Sequence, residues 1–197
     1  MKLVIRYIVM ALAVILVKTA YAQHSPSLAS RLIQSAIDQT QQLVIYDSRY
    51  RAIAYPMGDI PLTYGVCSDV LVRAYRTIGI DLQQLVHEDM KNNFNLYPTI
   101  WGLKKPDSNI DHRRVPNLET FFKRHGKVLV ISSNGTDYQP GDIVSWRIPV
   151  PHIGLVTHLK SADGKRPLIA HNIGLGVQIE DMLFHYPIHG HFRYGLE

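Results

Sequence analysis

Leu28, Leu32, Ile33, Ala36, Ile37 and Val44 recur at helical spacing. They follow Ser25-Pro26, a capping side chain with proline at the first helical position, and predict a helix through about Val44. Tyr46 to Val66 is rich in Tyr, Pro and Gly and reads as a loop. A second helix is expected from Cys67 or Ser68, with Val70, Leu71, Ala74, Tyr75 and Ile78 on one face and Gly79 as its stop. A short helix follows over Asp81 to Lys91, then an irregular stretch from Asn92 to Pro116. Asn117 is expected to cap a further helix that turns Leu118, Phe121 and Phe122 inward and ends at Gly126. Beyond it the pattern becomes short, β-branched runs punctuated by Gly, Pro and Asp. These are Val128–Ile131, Ile143–Arg147, His152–His158, Leu168–Asn172, Val177–Ile179 and Phe192–Tyr194. Helices first and a small antiparallel sheet afterwards is an α+β order.

The first 22 residues read as a secretory leader. Lys2 and Arg6 precede an apolar run from Tyr7 to Val17, and Ala20-Tyr21-Ala22 offers a small-x-small cleavage site. The run is too short for a comfortable transmembrane helix, no Cys follows the cleavage site to carry a lipid, and no later window is apolar enough to span. The expected product is one soluble domain, residues 23–197, periplasmic or secreted, with no membrane contact after cleavage. The composition, 46% hydrophobic and 19% charged over 197 residues, suits a globular core. The net charge of +5 invites a nucleic-acid reading. However, Lys2, Arg6 and Lys18 all lie in the leader, and no cluster of Lys and Arg remains to track a phosphate backbone.

An oxidising compartment favours paired cysteines, yet Cys67 is the only one in the chain. It is either a small buried hydrophobe or a nucleophile whose chemistry needs a thiol. Its place at a helix start favours the second reading. Unpaired N–H groups and the positive end of the dipole are expected to lower its pKa. A thiolate needs a base and the base an orienting group. Among ten histidines, His152 opens a strand after Pro151, and His171-Asn172 closes the next. His185, His189, His191, His87-Glu88 and Asp111-His112 offer metal ligand types, but none stands at a recognised fixed spacing, so no metal is expected.

This order of features resembles the NlpC/P60 cysteine peptidases, papain-like enzymes that cleave amide bonds in peptidoglycan stem peptides. Cys67-Ser68 is similar to their nucleophile start, Tyr75-Arg76-x-x-Gly79-Ile80 to the end of that helix, and Gln139-Pro-Gly-Asp-Ile-Val144 to the turn and strand before the base. His152-Ile-Gly154 is similar to their His-Val-Gly, His171 to the third polar residue, and Gly176-Val-x-Ile to the next strand. Tyr55-x-x-Gly58 looks like the upstream Tyr near the oxyanion site. Cys67-Ser-Asp-Val, Asn109-Ile-Asp-His-Arg-Arg-Val-Pro116 and His171-Asn-Ile-Gly174 point more closely to a related family of secreted bacterial proteins known only as a domain of unknown function.

The resemblance implies a papain-like NlpC/P60-type fold and a thiol amidase or peptidase that needs no cofactor. Cys67 would be the nucleophile, His152 the base, and His171 or Asn172 the orienter, with Tyr55 assisting at the oxyanion. Peptidoglycan peptides would be the partner. An acyl transferase using the same thioester, and a non-catalytic cell-wall binding module, are the alternatives. Three departures stand out. Asp69 replaces the usual Gly and either bears on the thiolate or caps the helix. His152 and His171 lie nineteen positions apart, which keeps Asn172 in contention. The segment from about Leu82 to Asn117 is a long insertion whose Tyr97, Trp101, Arg113 and Arg114 are expected to bind substrate.

Overall fold

Four helices pack on one face of a six-stranded antiparallel sheet in the computed structural model, which describes residues 25–196. The expected leader lies outside the described residues. Among those described, no helix is long and apolar enough to cross a membrane.

Helix α1 (Leu28–Asp38) begins two residues later than expected, because Ser27 rather than Ser25 supplies the cap by accepting the Ser30 N–H at 3.1 Å. It ends in a 3₁₀ turn at Gln39–Gln41, short of Val44. The segment read as a loop contains a small parallel bridge between β1 (Ile45–Tyr46) and β2 (Tyr64–Gly65). This bridge sets the approach to α2 (Cys67–Arg76), which buries Val70, Leu71, Ala74 and Tyr75 as the spacing predicts. Gly79, at φ +84°, turns the chain after it, and the Ile80 N–H reaches back to the Tyr75 carbonyl.

Helix α3 (Leu82–Asn93) is capped by Asp81, whose side chain accepts the Gln83 N–H at 3.1 Å. Helix α4 (Val115–His125) starts before Asn117, because Pro116 sits within its first two positions, where a missing N–H costs nothing. Asn117 is therefore no cap. It is buried, and its Nδ2 donates to the Asp111 carbonyl at 3.1 Å.

The sheet order is β3 (Lys127–Val128), β8 (Ile188–Arg193), β4 (Ile143–Ile148), β5 (Val150–Lys160), β6 (Pro167–His171), β7 (Gln178–Glu180). β3 is shorter than expected, and Val130 beyond it is exposed. Ile143, Ile153, Leu155, Ala170 and Phe192 face the helices in one core. Val144, Trp146, Val156 and Ile169 face the opposite way into a second core closed by Tyr138, Met182 and Leu183. This is the period-2 alternation of a sheet covered on both faces. The Pro-Gly-Asp turn has a structural reason. Asp142 is buried at the start of β4 and accepts from the Gln139 N–H, from His191 Nε2 at 2.9 Å and from Arg193 Nε at 2.7 Å. His191, whose Nδ1 faces the Val130 carbonyl at 2.9 Å, is thereby committed to clamping β8 onto β4.

Candidate active site

Cys67 is the first residue of α2, and Val66 ahead of it has no polar side chain to cap the helix. Asp69 takes over part of that task by accepting the Val66 N–H at 2.7 Å. The N–H groups of Ile153, Ser68 and Cys67 itself bear on the Cys67 sulfur and favour its anion. Val156 exchanges hydrogen bonds with Gly141 and Asp142 on the β4 side. Antiparallel alternation therefore points the Ile153 amide the other way, toward β6. Since β6 ends at His171, that amide has no β6 partner, and it bears on the thiol instead.

The thiol does not have the lowered pKa expected of a helix start. It is only 4% exposed, and burial pushes it up to about 11, with the Asp69 carboxylate adding to the rise. The surrounding amides pull in the other direction and do not outweigh it. The resting group is a neutral thiol.

His152 stands next to Ile153 on β5, and its ring lies 5.9 Å from that of Trp146, its cross-strand neighbour. His152 Nε2 meets His171 Nδ1 at 3.1 Å, with the rings nearly perpendicular, and His171 Nε2 meets Glu180 Oε2 at 2.9 Å. Three neighbouring strands, β5, β6 and β7, thus contribute one residue each to a hydrogen-bonded row. Burial drives the His152 pKa down to about 3, with His171 contributing, and burial lowers His171 as well despite the Glu180 charge. No hydrogen bond joins His152 to Cys67; Ile153, whose amide bears on the thiol, follows His152 on β5 and turns its side chain into the helix-side core with Cys67, while His152 stands on the face of Trp146.

Of the two possible orienters, His171 contacts His152 and Asn172 does not. Consecutive residues on a strand point to opposite faces, and Asn172 Nδ2 donates to the Gly65 carbonyl at 3.4 Å while its Oδ1 accepts the Gly174 N–H. Tyr55 is also placed elsewhere. It packs edge-on to His87 on α3, with Glu88 and Asp81 as its charged neighbours. The tyrosine in the electrostatic reach of Cys67 is Tyr46. Its phenol is shifted up first by burial and then by Cys67 and Asp69. A two-residue bridge to β2, two positions before Cys67, brings it there, and no local pattern in the sequence signals that pairing.

The insertion divides into scaffold and surface. Tyr97 is buried and donates to Asp89 at 2.6 Å, so it cannot meet a substrate as expected. Arg113 is buried too, with its guanidinium bidentate on Asp69 at 2.9 Å and its Nη2 donating to the Asp47 carbonyl at 3.0 Å. The Arg113 carbonyl in turn accepts from Ser68 Oγ at 2.7 Å. This latch ties the insertion to the first turn of α2 and accounts for Asp69, which is engaged with Arg113 and Val66 and not with His152. Trp101 and Arg114 remain accessible. The Arg114 guanidinium lies 4.3 Å from the Trp101 ring centre, and both line a cavity of about 320 Å³ with Tyr50, Ser48 and Val66. Val66 precedes Cys67, so this cavity reaches the base of α2. A neighbouring cavity of about 600 Å³ shares Tyr50 and adds His87, Lys104 and Lys105.

Among solved structures, the chain is similar to NlpC1 from Trichomonas vaginalis, at 16% identity and a TM-score of 0.47, over 87% of this chain and 46% of that one. Among curated proteins, it is 48% identical to the uncharacterized protein YijF of Escherichia coli (strain K12), over 93% of this chain and 97% of that protein. The family described as a domain of unknown function, DUF1287, matches residues 33–194, which include Cys67, both buried histidines of the row and Glu180. The chain belongs to that family.

Proposed function

We propose that the protein is a thiol-dependent hydrolase of amide bonds, acting outside the cytoplasm on peptidoglycan stem or cross-link peptides. The observation that carries the reading is the hydrogen-bonded His152–His171 pair set one residue from the amide that holds the Cys67 sulfur. A thiol needing only to fill core does not account for two buried, mutually bonded imidazoles at the adjoining strand positions.

With thiol and imidazole both neutral at rest, His152 acts as a general base at the moment of attack. The Cys67 sulfur bonds to the carbonyl carbon as its proton passes to His152 Nδ1, the ring nitrogen not engaged by His171. The C–N bond then breaks as His152 returns that proton to the leaving amine, giving a thioester. Water attacks the thioester, His152 takes the water proton, and the carboxylic acid leaves with the thiol restored. Backbone N–H groups at the start of α2 and the Tyr46 hydroxyl are the donors assigned to the developing oxyanion. Arg114 on Trp101 offers a cation to a stem-peptide carboxylate in the cavity beside Val66.

The test is digestion of purified muropeptides by the full chain and by Cys67→Ala, followed by mass spectrometry. New peptide fragments with the first protein and none with the second are expected. Equal fragment yield from both would dispose of the thiol mechanism, and binding without fragments from the wild type would favour a non-catalytic module.

A further inference from the structure

Glu180 sits on the outermost strand of the sheet with its side chain about half exposed, yet it hydrogen-bonds a histidine that is 1% exposed. We propose that Glu180 is a positioning residue that fixes the tautomers of His171 and His152 and leaves His152 Nδ1 unprotonated, the state that a base for Cys67 requires. The inference rests on the thiol-hydrolase reading above and adds to it the group that decides which nitrogen is basic.

A carboxylate oxygen only accepts, so the ring nitrogen facing it must carry the proton. His171 therefore holds its hydrogen on Nε2, which lies 2.9 Å from Glu180 Oε2. A neutral imidazole has one donor and one acceptor, which leaves His171 Nδ1 with a lone pair. That lone pair faces His152 Nε2 at 3.1 Å, and two facing lone pairs would repel, so His152 Nε2 carries the hydrogen. His152 Nδ1 is left bare. Each step follows from the one before, and the sequence starts at Glu180. Without an acceptor there, either tautomer of His171 could satisfy His152, and one of the two would leave the proton on His152 Nδ1, where it cannot act as a base. The bond is within one charged and two neutral groups, so the carboxylate also offsets the positive charge that His152 gains when it takes the thiol proton. β-pairing places Glu180 opposite Ile169, two residues from His171 and on the same face of the sheet, which is why the diagonal contact forms.

The experiment is long-range ¹H–¹⁵N NMR of the full chain labelled at histidine, which distinguishes protonated ring nitrogens from bare ones. The wild type should show His171 and His152 both protonated on Nε2. Glu180→Lys puts a donor where the acceptor stood and should invert both rings to Nδ1–H, and Glu180→Gln should leave a mixture. Muropeptide turnover should fall on the order of 10²–10⁴-fold in kcat for Glu180→Lys, with KM nearly unchanged, since a misplaced proton removes general-base help. A wild type protonated at His171 Nδ1, or rings that ignore the residue at 180, would overturn the proposal. So would inverted rings with undiminished turnover. Tautomers that follow residue 180 in a protein that never digests muropeptides would leave the relay standing and remove the hydrolase reading instead.

Discussion

Removing the Arg113 guanidinium should unsettle the fold far more than it affects any ligand. Arg113→Ala deletes two bonds to Asp69 at 2.9 Å and those to the Asp47 and Arg49 carbonyls at 3.0 and 3.3 Å. Asp69 would be left 4% exposed, with the Val66 N–H as its remaining partner. Breaking a buried pair from one side strands the other charge and costs about 3–5 kcal/mol. For a chain of this length, each kcal/mol lowers the melting temperature by roughly 2–4 °C, so a fall of roughly 6–20 °C is expected. Asp69→Ala strands the guanidinium in the same way and should cost a similar amount. The double variant strands neither charge, so it should lose less than the sum of the two singles by at least ~2 kcal/mol. The assay is urea denaturation of all four proteins at one pH and salt concentration. Additive losses, or an Arg113→Ala variant within ~1 kcal/mol of wild type, would show that the latch does not hold the insertion to α2.

Iodoacetamide labelling of Cys67 should rise with pH along a curve centred near 11, where burial places the thiol. A midpoint below that of an ordinary thiol, about 8.5, would mean a preformed thiolate and contradict the neutral resting site. Tyr46→Phe should lower kcat on muropeptides by on the order of 10²-fold with little change in KM, while Tyr55→Phe stays near wild type; the reverse pattern would restore Tyr55 to the oxyanion site. Stability should fall as pH drops from about 6.5 toward 3. His152 and His112 are both held near 3 in the folded state by burial, so the unfolded chain takes up their protons first. Each group contributes at most about 1.4 kcal/mol per pH unit, and thermal melts that stay level across that window would refute the assignment. Gly154→Ala should lower both stability and activity, because its new Cβ would meet Ile169 Cγ2 at 2.5 Å and the Ala170 carbonyl at 3.1 Å, prising β6 from β5 beside His171. A variant with full turnover and an unchanged melting curve would show that the strands absorb it.

Local periodicity made α2 legible, since Val70, Leu71, Ala74 and Tyr75 repeat on one face and Gly79 closes the turn. Helix α4 departs from its expected start. Asn117 is a good cap by type, but Pro116 beside it is a better first-turn residue, and the nearest proline decided the start. Site residues on strands were legible as far as their own strand allowed. His152 and His171 stand out in sequence, whereas Glu180 becomes relevant only once β7 is registered against β6, and Tyr46 only once β1 meets β2. Tyr97 and Arg113 were misjudged for a related reason. A polar side chain in an irregular segment looks exposed, but here Asp89 and Asp69 satisfy these two in the interior.

The thiol pKa illustrates how two sound arguments are decided by magnitude. The dipole at a helix start is worth about 0.3–1 kcal/mol to a nearby anion, less than one pKa unit. Full burial can move a group by three units or more the other way. The sequence reveals the first effect, because a helix start is local. The second depends on tertiary packing, which buries the start of α2 against β5 and β6, and on the Arg113 latch that ties the insertion to it. Burial also neutralises His152, so neither member of the pair carries charge while the site is idle. A lone cysteine kept as a thiol reacts slowly with oxidants and disulfides, because the thiolate is the attacking species. In the proposed reaction, charge separates only when a carbonyl carbon is present to accept the sulfur, with Glu180 behind His171 to balance the imidazolium. The same burial that makes Cys67 a poor nucleophile in isolation would therefore protect it in the compartment proposed above.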